Sequence, residues 1–188
     1  MHQRTLICHP QTLTSVTSEM RVSVEWFHDG RCALTYMVAG DCSRLQVPSR
    51  TLAARVDGLW KHTCFEAFVA CQDSAGYREY NFSPSQQWAA YAFRAYREPI
   101  ELNEVEAPLI EARQERQHFV LTACIRLDDS LTRQPFQLGL SAVLEDTDGA
   151  LSYWALQHPA AKPDFHHRDS FVLLIDTRTS VTEGKDAR

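Results

Sequence analysis

Tyr77-Arg78-Glu79-Tyr80-Asn81-Phe82-Ser83-Pro84-Ser85-Gln86-Gln87-Trp88-Ala89-Ala90-Tyr91-Ala92-Phe93-Arg94-Ala95 is the stretch on which the fold class turns. Its first six residues alternate as a strand does: Arg78, Tyr80 and Phe82 share one face, while Tyr77, Glu79 and Asn81 share the other. The rest reads in two ways. Ser83-Pro84-Ser85-Gln86 spells a capping box with proline at the first helical position, and good helix formers follow from Trp88 to Phe93. Tyr91, Phe93 and Ala95 nevertheless alternate with Ala92 and Arg94, and Ser-Pro-Ser-Gln serves equally well as a hairpin loop. Local propensity does not choose between a helix and a strand.

Outward from this stretch, the rhythm is of short apolar or alternating segments broken by turn residues, the pattern of an all-β chain. Val22, Val24 and Trp26 alternate with Ser23 and Glu25, and His28-Asp29-Gly30-Arg31 turns the chain into Cys32 to Ala39. Leu59 to Cys71 is apolar and aromatic, and Asp73-Ser74-Ala75-Gly76 turns it into Tyr77. Further strands are expected at His118 to Leu127, Phe136 to Leu144, Leu151 to Leu156 and Phe171 to Ile175, for about ten in all. A two-sheet antiparallel β-sandwich buries both inner faces of so many strands. Between Glu98 and Glu111 lie five glutamates and no Lys or Arg, which reads as a solvated connection or edge strand.

At 188 residues the chain fits one domain, taken as residues 1–176, with a polar tail over 177–188 expected to fray. It is 44% hydrophobic and 23% charged, enough to bury a core unaided. A formal charge of −5 without a basic stripe argues against nucleic acid as partner. No apolar run reaches the roughly 20 residues of a membrane helix. Cys8, Cys32, Cys42, Cys64, Cys71 and Cys124 form no short-spaced metal set, and the N-terminus carries no secretory pattern, so reduced thiols and a cytoplasmic location are expected. No G-x-S-x-G elbow, H-E-x-x-H helix or glycine-rich phosphate cradle is present, and the expectation is a binding protein rather than an enzyme. Glu66 and Glu79 could be drawn as a glycosidase pair, but their separation is not readable from sequence.

Leu59-Trp60-Lys61-His62-Thr63-Cys64-Phe65-Glu66-Ala67-Phe68, the Tyr77 to Tyr91 stretch, Tyr153-Trp154-Ala155-Leu156-Gln157-His158-Pro159 and Pro163-Asp164-Phe165-His166-His167 together resemble the bacterial DOMON-like proteins. That family is related to haem- and sugar-binding DOMON domains and to family 9 carbohydrate-binding modules. The resemblance implies a β-sandwich of Ig-like or jelly-roll appearance that binds a ligand, and it implies that Trp88 to Ala95 is a strand.

A saccharide site needs aromatic faces for the sugar ring and polar groups for its hydroxyls. Trp60, Trp88, Tyr91, Tyr96 and Trp154 are candidates for the first, and Glu66, Arg78, Glu79, Asn81 and Gln157 for the second, with His158 as a further contact. A coplanar Trp or Tyr beside Glu79, Asn81 or Arg78 is the expected signature. Glu66, set in an apolar run, needs a partner if buried, and Arg78 across the hairpin is the expected one. The alternative ligand is a non-covalent haem, with Met37, His62, His158 and His166 as candidate axial ligands. A third reading is a protein-interaction module. The loop from His158 to Asp169 concentrates His158, Asp164, His166, His167 and Asp169, candidates for a divalent metal or, alternatively, for capping strand ends by hydrogen bonds.

Overall fold

The structure, a computed structural model, describes residues 1–102 and 104–177. Its strands are β1 (His2–Cys8), β2 (Thr17–Trp26), β3 (Arg31–Gly40), β4 (Cys64–Cys71), β5 (Tyr77–Phe82), β6 (Trp88–Ala95), β7 (Glu98–Ile100), β8 (Leu109–Gln114), β9 (His118–Arg126), β10 (Phe136–Glu145), β11 (Leu151–Ala155) and β12 (Leu173–Ile175). The ambiguous stretch is therefore a hairpin of β5 and β6. Ser83 N–H donates to the Gln87 carbonyl (2.9 Å), and Ser83 Oγ accepts from Ser85 N–H (3.2 Å), so the capping-box serine organises a loop. Gln86 adopts φ 77, which no helix can continue through. Trp88 to Phe93 shows little polar alternation because both faces of β6 are largely covered, and that is why it resembles a helix segment by composition.

The strands follow one hydrogen-bonded path, β7-β6-β5-β4-β10-β11-β1-β2-β3-β9-β8, with β12 also on β10. β1 makes the corner. Its residues His2 to Leu6 pair with β2, and Ile7 and Cys8 pair with Ala155 and Trp154 of β11. The path doubles into two layers whose inner faces form the main core. Phe65 of β4 stacks on Phe119 of β9 with ring centroids 5.7 Å apart, and Trp26 of β2 meets Phe136 of β10 at 5.3 Å. Tyr36 of β3 reaches across to donate its hydroxyl to the Glu66 carbonyl at 2.7 Å. Each large ring so buried contributes about 2 kcal/mol. The strands beyond the expected set are β1 and the short edges β7 and β8. The latter two flank the glutamate-rich stretch, which is part edge and part connection.

The β4–β10 layer is unusual in being covered on its outer face as well. The segment after β11 runs back over it, and Phe171 stacks on Phe68 with centroids 5.5 Å apart, forming a satellite core with Ala70 and Tyr77. Gly139 on β10 makes this docking feasible, because a Cβ there would collide with the Phe171 ring. The cover is partial, and the uncovered part of the outer face is where polar side chains collect. All six cysteines are free. No helix among the described residues is long and apolar enough to cross a membrane. The tail expected to fray lies, from residue 178, outside the described residues.

Candidate functional site

Register decides which side chains meet on the outer face. Ser141 of β10, Glu66 of β4 and Asn81 of β5 lie in one row across three strands, and Phe68, Glu79 and Tyr91 lie in the next. Glu66 and Glu79 are thus diagonal neighbours on one face, about 7–8 Å apart along the backbone. Both are buried, at 2% and 5% exposure. They line a cavity of about 440 Å³. Trp60, from the 3-10 turn Leu59–Lys61, Tyr91, Tyr153, Phe165 and His166 contribute its aromatic lining, with Trp60 packed against Tyr91 and Tyr153 against Phe165. Arg97, from the two-residue turn between β6 and β7, stands at the rim and adopts a left-handed φ of 53.

The hydrogen bonds around the carboxylates form a chain. The Arg97 backbone N–H donates to the Tyr77 hydroxyl (3.1 Å), which pairs with His166 Nδ1 (2.8 Å). His166 Nε2 lies 3.6 Å from Glu79 Oε2. Asn81 Nδ2 donates to Glu79 Oε1 at 2.8 Å. Asn81 Oδ1 and Ser141 Oγ, both buried, have no hydrogen-bond partner of good geometry. Ser141 nonetheless lies near enough to Glu66 to favour its charged form.

Burial dominates the electrostatics. It pushes Glu79 up to about 7 against the opposing influence of Asn81 and Arg97, and it holds Glu66, with the added repulsion of Glu79, well above the usual carboxylate range. Burial and the Arg97 charge lower His166 to about 4, so this imidazole is neutral and its contact with Glu79 is no ion pair. Arg97 Nη2 donates to Asp164 Oδ1 (2.9 Å), and Tyr96 donates to Asp164 Oδ2 (2.7 Å). Burial of Asp164 works against its charge, but these bonds hold it below the usual carboxylate range.

Several expectations are corrected. Glu66 does not pair with Arg78. Arg78 lies opposite Val69 and points to the other face of β5, where it forms an ion pair with Asp128. Trp88 and Trp154 belong to the inter-sheet core. The Arg55 guanidinium lies 5.9 Å from the Trp88 ring, and Trp154 Nε1 donates to Ser152 Oγ at 3.1 Å. Trp60 and Tyr91 are not coplanar but meet edge to face, 72° apart at 5.9 Å, with Tyr91 donating to Asp57 at 2.7 Å. Tyr96 and Gln157 are exposed, Tyr96 serving Asp164 as described. Of the candidate residues, Trp60, Glu66, Glu79, Tyr91 and His166 line the cavity, and Asn81 lies beneath it.

The donors named for a haem iron are not gathered. Met37 lies on the exposed outer face of β3, His62 is exposed and bonded to Glu145 (2.7 Å), and His158 Nε2 is engaged by the Ile7 carbonyl (2.8 Å). Of the four only His166 faces the cavity, with Nδ1 paired to Tyr77 and Nε2 set 3.6 Å from Glu79, so these residues do not fit a haem. The 158–169 loop uses its polar groups structurally. Asp164 anchors Arg97, and His167 accepts from the Asp169 N–H (3.3 Å). Among the described residues no group of three or more His, Cys, Asp or Glu could hold a metal ion.

Among the residues at the site that the sequence reading did not single out are Phe93, Arg97, Ser141, Tyr153 and Phe165. Phe93 was accessible by parity, being two residues beyond Tyr91 on the same face. Ser141, Arg97 and Tyr153 require the register across β10, β4 and β5, the turn and the returning loop.

A crystal structure of a proposed carbohydrate-binding protein from Bacteroides uniformis aligns with 91% of this chain and 84% of its own length, at a TM-score of 0.62 and 13% identity. At that identity the likeness is one of fold. No protein-family model matches the sequence. No curated protein matches it either.

Proposed function

We propose that the chain is a non-catalytic module that binds a saccharide on the outer face of its β4–β10 sheet. One observation carries this reading: a cavity of about 440 Å³ sets the Trp60 and Tyr91 rings beside the buried polar row of Glu66, Asn81 and Ser141 and the adjoining Glu79. An aromatic wall offers the apolar face of a pyranose a surface, and the carboxyls accept from its hydroxyls. The carbohydrate-binding proposal for a protein of the same fold supports the reading. Burial favours the uncharged form of both carboxyls, which suits hydrogen bonding and opposes a nucleophilic role.

Trp60 is 41% exposed, while Trp26, Trp88 and Trp154 are at most 7% exposed. Tryptophan fluorescence during titration with a panel of mono- and oligosaccharides therefore reports on Trp60. A saturable change is expected, together with a loss of affinity of about tenfold or more in Trp60→Ala, measured by calorimetry. Calorimetry showing no heat of binding with any saccharide of the panel would overturn the reading.

A further inference from the structure

We infer that the saccharide taken by this cavity carries a free, positively charged amino group, which sits between Glu66 and Glu79. The inference rests on the saccharide reading above and deepens it.

The charges lining the cavity do not balance. Glu66 and Glu79 share one sheet face as diagonal neighbours, both more than nine-tenths buried. Among the described residues, Glu66 makes no ion pair, although its carboxyl lines the open space. Glu79 meets only Asn81 Nδ2 at 2.8 Å and the imidazole of His166 at 3.6 Å. Among the described residues Arg97 is the one cation lining the cavity, and its guanidinium pairs with Asp164 at 2.9 Å, so it acts on Glu66 and Glu79 only from a distance. Neither carboxyl thus has a cation in direct contact among the described residues.

A neutral sugar supplies hydroxyl donors but no counter-charge, so burial leaves both carboxyls in the protonated form and either could ionise in this dry site only at a cost. One ammonium supplies three donors and the missing charge. A diagonal spacing of about 7–8 Å between backbones leaves a gap that a single ammonium can bridge. The surroundings suit a cation as well. Trp60, Tyr91, Phe93 and Tyr153 turn aromatic rings toward the same space, and a cation over such rings gains further attraction. In the same row across the sheet, the buried Asn81 carbonyl oxygen has no hydrogen-bond partner.

The experiment is calorimetric titration of the full chain, near neutral pH, with 2-amino-2-deoxyglucose, its N-acetyl form, glucose and their short β-linked oligomers, alongside tetramethylammonium as a non-sugar cation. The amine-bearing sugars are expected to bind at least about tenfold more tightly than the N-acetyl and unsubstituted ones. Glu66→Gln and Glu79→Gln are each expected to shrink that ratio to about threefold or less. Equal or tighter binding of the neutral sugars overturns the amino-group inference and leaves the saccharide reading standing. Binding of tetramethylammonium with no binding of any sugar overturns the saccharide reading, and the inference with it. No binding of any compound overturns both. If a glutamine variant fails to fold by circular dichroism, the wild-type ratio alone decides.

Discussion

His166 Nε2 lies 3.6 Å from Glu79 Oε2 while its Nδ1 pairs with the Tyr77 hydroxyl, so a neutral imidazole and a buried carboxyl stand side by side without forming an ion pair. Their folded-state titrations are displaced toward each other's usual range, Glu79 up to about 7 and His166 down to about 4. The loop that carries His166 is thereby linked to the sheet that carries Glu79.

The two groups make opposite contributions to stability with pH. Glu79 holds its proton more tightly when folded, so its stabilisation is complete below the ordinary value of 4.5 and is lost as pH rises to about 7. His166 has a depressed folded value, so its contribution is present above 6.5 and is lost as pH falls toward about 4. Urea unfolding at intervals across this range is expected to show Glu79→Gln gaining on the wild type as pH rises, by a total on the order of 3 kcal/mol. His166→Gln is expected to lose ground over the same range. A pH-independent difference for either variant contradicts the assignment.

Glu66 is the costlier of the two carboxyls, being the more deeply buried and next to Glu79. Glu66→Gln keeps the shape and removes the charge. Thermal unfolding near pH 8 is expected to show the variant more stable than the wild type by about 1–3 kcal/mol, while saccharide affinity falls. A destabilised variant would mean that Glu66 has a structural partner.

Much of this arrangement was legible in the sequence. Alternation placed Glu79 and Asn81 on a face apart from Arg78, and the resemblance to DOMON-like chains favoured a strand at Trp88 over its capping box. Trp88 was harder because β6 is covered on both sides and gives no polar alternation to mark which face is the core, and Trp154 because the polar Ser152 shares its core face. The Glu66 to Arg78 pairing failed on register: the turn between Cys71 and Tyr77 sets Val69, not Glu66, opposite Arg78, and only the strand pairing reveals it. Arg97 carried no local signal, since turn positions of positive φ ordinarily hold Gly or Asn.

Gly139 tests how the returning segment is held. Gly139→Ala sets a methyl group against the Phe171 ring and is expected to cost about 1–3 kcal/mol in urea unfolding. Phe171→Leu in the same chain is expected to recover part of that loss, a coupling readable in a double-mutant cycle. Strictly additive effects would show that the ring does not sense position 139.

Arg97 keeps a left-handed backbone without being glycine, at a cost of about 1 kcal/mol. Its ion pair with Asp164 does not repay this in stability, because the Arg97 side chain is 51% exposed and solvent screens the pair. At the rim the Arg97 backbone N–H meets the Tyr77 hydroxyl, and the guanidinium meets Asp164 on the loop that carries His166. Arg97→Gly and Arg97→Ala remove the same guanidinium, but only glycine relieves the backbone. The glycine variant is expected to unfold about 1 kcal/mol later than the alanine variant, and both are expected to bind saccharide several-fold more weakly than the wild type. A glycine variant with wild-type affinity would show that the strained arginine serves the turn and not the site.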